Sequence, residues 1–143
     1  MKSFKLALAV ALFASAGFSM AQDKVDSKGI TAKVKLEEVV SGYLTDLNGK
    51  YKIRATEVTF APGAHAGPHH HSGPGIRYVV SGQLTFTQAG KETIFKAGDF
   101  FYESGNVVHT AQNKSEAPLR MIFFEVLPAD WSGGSSFIPS KLR

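Results

Sequence analysis

Turn signals interrupt this chain every few residues, and beyond its first twenty-odd positions no stretch repeats its apolar residues at a helical period. Between the turns lie short runs rich in β-branched and aromatic residues. Ile30 to Val40 is a first strand or pair of strands. Leu47-Asn48-Gly49-Lys50 reads as a turn into a strand from Tyr51 to Phe60, which Ala61-Pro62-Gly63 should end. His69 to His71 is a short extended piece, broken by Gly73-Pro74-Gly75. Ile76–Val80, Gln83–Thr87, Glu92–Phe95, Phe100–Glu103, Val107–Gln112 and Leu119–Leu127 follow, separated by Gly82, Ala89-Gly90 and Ala97-Gly98-Asp99. So many short strands with so little else predict an all-β sandwich or barrel. Leu119–Leu127 is apolar on both faces for much of its length. That suits a central strand, or one whose outer face meets a partner subunit.

The first 21 residues have a different character. Lys2 and Lys5 precede an apolar run from Leu6 to Phe18 and then Ser19-Met20-Ala21, the three-part pattern of a secretory signal peptide cleaved before Gln22. The run is shorter than the ~20 apolar residues that span a bilayer, so no stable membrane anchor is expected after cleavage. Without Lys2 and Lys5 the formal charge falls from +4 to +2. No Lys/Arg cluster interleaved with aromatics suggests nucleic acid. Residues 22–143 are expected to form a single domain with a core over about 30–127 and a tail from Pro128. Phe137 and Ile138 in that tail could dock on the barrel or on a second subunit. The chain has no Cys, so an exported, periplasmic or secreted domain would depend on its apolar core.

His69 and His71 are separated by one residue. On a strand, such side chains point to one face, and two imidazoles there can share a metal ion, with His109 from another strand completing the set. By the same alternation His70 should face the other side. His65, in the glycine-rich approach Gly63-Ala64-His65-Ala66-Gly67-Pro68, is a possible additional site residue, although a loop histidine is more often solvated.

Gly63, five residues, then His69-His70-His71 and later Gly82 resemble the first motif of the cupin family. Gly98 with His109 and Asn113 resembles the second, with Ser104 and Asn106 in the places of the usual Pro and Gly. The resemblance extends over roughly Val58 to Val126. It implies a double-stranded β-helix of the jelly-roll type, with His69, His71 and His109 as ligands of one divalent transition metal inside the barrel. Fe, Mn, Ni, Cu and Zn all suit imidazole. The family's fourth ligand, a Glu, falls at Gly75 and is absent. Glu103, just before the second motif's turn, could replace it, although a solvated loop acid is the ordinary expectation. Arg77 lies two places beyond Gly75. If the strand is regular it points inward and could clamp a substrate carboxylate; a slipped register would turn it outward.

These features lead to the expectation of an exported metal-dependent enzyme, oxygenase-like, acting on a small organic and anionic substrate. Isomerase and lyase chemistry stay open because the fold hosts them all. The other class is a non-catalytic periplasmic protein that binds a small molecule or metal. A homodimer is expected from the apolar strands.

Overall fold

A computed structural model describes residues 24–137. The expected signal peptide and Ile138 lie outside these residues. Among the described residues there are nine strands and no helix: β1 (Ser27–Val39), β2 (Tyr51–His71), β3 (Gly75–Ser81), β4 (Gln83–Gln88), β5 (Lys91–Lys96), β6 (Phe100–Glu103), β7 (His109–Gln112), β8 (Leu119–Pro128) and β9 (Ser136–Phe137). The hydrogen-bonded order is β5-β4-β7-β2-β8-β3-β6, with β1 and β9 also pairing with β2. The architecture is the expected double-stranded β-helix, an almost closed barrel.

The main departure from the sequence reading is β2. Ala61-Pro62-Gly63 does not end the strand but bends it. Tyr51–Phe60 pairs along β8, whereas His65, Ala66 and His69 pair with β7. One continuous strand thus bends so that its first part pairs with β8 and its last part with β7. Gly63 takes a positive φ of 70° here, which a side chain would strain. Asn113 holds the bend. Its Nδ2 donates to the carbonyls of Phe60, Ala61 and Ala117, its backbone N–H donates to Ala64, and its carbonyl accepts from Gly63. These bonds satisfy backbone groups that the bend removes from the ladders.

Alternation along β2 sends Lys52, Arg54, Thr56, Val58 and Phe60 inward. The apolar end joins Val79, Leu84, Phe86, Leu119 and Met121 in the core. The charged end is partnered: Lys52 and Arg54 both bond Glu37 of β1, and they also donate to the carbonyls of Trp131 and Gly133. These bonds strap the tail across the barrel. Ser136–Phe137 then adds to His70–His71 as β9, so the tail docks on the barrel by backbone pairing.

Candidate metal centre

His69 and His71 lie on the inward face of β2, and His109 sits directly opposite His69 on β7. All three are buried, and one ring nitrogen from each lies within 4.8 Å of the other two. His70, between them, is only half-buried and is not part of the cluster, as strand alternation requires.

The other ring nitrogen of each histidine is already engaged. His69 Nδ1 is 2.7 Å from the Gly67 carbonyl, and His109 Nδ1 is 3.1 Å from the Val107 carbonyl. A carbonyl can only accept, so each Nδ1 carries the hydrogen and each Nε2 keeps a lone pair. His71 Nδ1 lies 3.1 Å from Ser135 Oγ and 3.2 Å from Glu125 Oε1. Such outer bonds fix ring orientation and tautomer at metal sites. Burial is the main force on His69, drawing its pKa down to about 4 against the favourable bond to Gly67. Burial lowers His109 as well. Burial thus favours the neutral form of both imidazoles, the state a metal ligand needs. Three converging Nε2 lone pairs on anchored rings fit a divalent transition ion. A bound ion would supply Lewis acidity, or redox chemistry if it were iron or copper.

A layer of charge lies beside the imidazoles. In the β-ladders Gly75 is paired with Glu103 of β6 on one side and with Glu125 of β8 on the other. Residues paired in this way share a face, so both carboxylates point inward around a position that has no side chain. Arg77, two residues along β3, points the same way and is 0% exposed. Its Nε donates to Glu103 Oε2 at 2.5 Å and its Nη2 to Glu125 Oε1 at 3.2 Å, while its guanidinium lies 4.3 Å over the Phe123 ring. Nη1 is buried with no hydrogen-bond partner among the described residues, and it fills the space a Gly75 side chain would enter. Arg77 thus points inward, as a regular strand requires. Its charge is spent on two protein carboxylates, and it does not line the cavity beside the imidazoles. The substrate clamp expected of Arg77 therefore gives way to an internal one.

Glu103 is not a solvated loop acid. It closes β6, is 7% exposed, and its Oε1 lies 3.2 Å from His109 Nε2 while its Oε2 lies 3.5 Å from His71 Nε2. Glu125 and Ser135 were not anticipated as site residues. Burial raises the Glu125 carboxyl, but the bond to His71, the Arg77 charge and the bond from Ser135 Oγ outweigh it and hold the pKa below the usual value. Its one signal in the sequence is that it is a lone acid in a strand otherwise nearly all apolar. Ser135 gave none, since only the returning tail brings it to His71. His65 lies apart from the cluster, its Nε2 3.8 Å from Asp26 Oδ2.

The imidazoles open onto a cavity of about 510 Å³. Its walls are largely apolar, with Leu84, Phe86, Phe101, Met121 and Phe123 prominent; Glu103, Glu125 and Arg54 are its charged members. Phe86 stacks on His109 at 4.8 Å between centroids. The loop before His109 is held close to β2–β3. Gly105 accepts from His71 N–H, and a side chain on Gly105 would come within 2.7 Å of the Gly73 backbone.

Residues 56–125 match the family model described as cupin domain. Among solved structures the chain is similar to a cupin-like protein of Thermotoga maritima, with 26% identity over 80% of this chain and 85% of that one and a TM-score of 0.55. It is also similar to KdgF from a Halomonas species, with 25% identity over 70% and 84% and a TM-score of 0.50. The polyketide cyclase RemF of Streptomyces resistomycificus shares the fold, at 15% identity over 80% and 75% and a TM-score of 0.57. Among curated proteins, none matches the chain.

Proposed function

The chain belongs to the cupin family, and on that premise we propose that it is a metal-dependent enzyme, oxygenase-like in its chemistry, acting on a small organic molecule. The observation that carries this reading is the set of three anchored imidazoles opening onto a large apolar cavity. Substrate would bind with its hydrocarbon portion against Phe86, Met121 and Phe123 and present an oxygen atom to the imidazole cluster. Because Arg77 is neutralised by Glu103 and Glu125, the substrate need not be an anion; a mainly apolar molecule with a carbonyl or hydroxyl group fits the walls better. Signal-peptide cleavage before Gln22 and export belong to the same proposal, on the strength of the Lys2-to-Ala21 pattern.

The apolar lining also suits a second reading, a protein that captures a hydrophobic small molecule without turning it over. Protein purified natively from its export compartment and analysed for metal and for extractable small molecules separates the two. Stoichiometric iron, with dioxygen consumption when candidate substrates are added, supports the enzyme. A metal-free barrel retaining an unchanged small molecule would contradict it.

A further inference from the structure

The side chains facing the three imidazoles lead further. We propose that Glu103 is a fourth protein ligand of the metal, so that the centre is built by His69, His71, His109 and a carboxylate carried on β6. This rests on the three imidazoles being a metal site, and it adds a ligand that neither the spacing of the histidines nor their mutual distances assign.

The geometry has three parts. The first is distance. Donors that each stand about 2.0–2.2 Å from one ion are about 3 to 3.5 Å from one another. Glu103 Oε1 lies 3.2 Å from His109 Nε2 and Oε2 lies 3.5 Å from His71 Nε2; the carboxylate stands outside the 4.8 Å cluster that the three imidazoles form, so it would close on the ion from the His71–His109 side. The second is ring orientation. His109 Nδ1 is turned to the Val107 carbonyl, so Nε2 is the nitrogen that faces the carboxylate oxygen. A nitrogen and a carboxylate oxygen at that distance are held together by a proton or a metal ion between them, and a divalent ion can take that place. The third is support. Arg77 Nε holds Glu103 Oε2 from behind, and the carboxylate is buried. A ligating carboxylate that is itself hydrogen-bonded is the usual arrangement at metal sites.

Position explains how the sequence accommodates this. Glu103 is the direct cross-strand partner of Gly75. With no side chain at Gly75, the Arg77 guanidinium occupies that space and Glu103 reaches the imidazoles beside it. Glu125, on the other flank of Gly75, cannot play the same part. It bonds His71 at Nδ1, and the two nitrogens of an imidazole point away from each other. Glu125 therefore positions His71, and Glu103 shares its metal. A fourth ligand of this kind removes one unit of positive charge and fills one coordination place, leaving the remainder to substrate or water.

The test uses the full chain loaded with Co2+ and read by visible d–d absorption and by competition for affinity. Glu103→Gln keeps shape and loses charge; it is expected to weaken Co2+ binding at least tenfold and to change the absorption bands while His69→Ala abolishes both. An intact Co2+ spectrum and affinity in Glu103→Gln would overturn the proposal while leaving the three-histidine site standing. If wild type binds no Co2+, or His69→Ala binds it as well as wild type, the underlying site reading fails instead. Should Glu103→Gln not fold, the crystal structure of Zn2+-loaded wild type decides: a Glu103 oxygen about 2.0–2.2 Å from the ion supports the assignment, and one beyond 3 Å refutes it.

Discussion

At the scale of single residues, the site is held by bonds made on the far side of each imidazole. Gly67, Val107 and the Glu125–Ser135 pair each take one Nδ1, which aims the opposite nitrogen into the cavity. Burial of these rings has a consequence for stability. His69 falls from 6.5 to about 4 in the folded protein. Below pH 6.5 the unfolded chain takes up a proton that the folded chain refuses until about pH 4. Its stabilising contribution is therefore complete above 6.5 and is lost as pH falls to about 4, a loss of the order of 3 kcal/mol from this group. The lowered Glu125 carboxyl works in the same direction, since its contribution also fades as pH falls. Urea unfolding of the metal-free protein at pH 7 and pH 4.5 should show a clear drop in midpoint at the lower pH, and equal midpoints would contradict it. His69 and His71 were legible in the sequence because strand alternation is local, and His109 through the resemblance of its surroundings to the second cupin motif. Glu103 was harder to read, because Ser104-Gly105-Asn106 marks it as a loop neighbour while its burial comes from pairing with β3, almost thirty residues away in the chain.

Among the strands, β2 and β3 decide the architecture of the centre. β2 was legible in two pieces but not as one, because Pro62-Gly63 has the composition of a terminator. Whether such a pair ends a strand or bends it depends on the pairing that waits beyond, here β7 and the Asn113 bonds. Likewise Leu119–Leu127 was legible as a central strand, and β8 does lie between β2 and β3. In β3, Gly75 is fixed by close approach rather than by backbone conformation. A side-chain carbon there would stand 2.5 Å from the Phe124 carbonyl oxygen and collide with Arg77 Nη1. Gly75→Ala is therefore expected to destabilise the protein by about 1–3 kcal/mol through overpacking. A thermal melt measures this, and a variant as stable as wild type would mean that β3 and β8 separate more easily than their pairing suggests. A carboxylate placed at Gly75 would meet the same obstruction.

On the scale of the whole molecule, the barrel leaves an apolar outer face. Tyr102, Ile76 and Phe124 are aligned across β6, β3 and β8, and Leu36 of β1 extends the row through its pairing with Ala55, itself opposite Phe124. All four larger side chains are well exposed, from 49% at Ile76 and 44% at Phe124 to 56% and 67% at Leu36 and Tyr102. Contiguous apolar surface of this kind usually marks an interface, and a second copy of the chain packed on it is the proposed homodimer. Sedimentation at micromolar concentration should give a dimer, and Phe124→Glu should shift it to monomer; a monomeric wild type would contradict this. The central claim is the metal centre itself, and its most direct test is calorimetric titration of Zn2+ into metal-free wild type and into His69→Ala, His71→Ala, His109→Ala and His70→Ala. One ion per chain is expected in wild type and His70→Ala, with binding lost or greatly weakened in the other three. A wild type that binds no ion, or a His109→Ala variant that binds as wild type does, would contradict it.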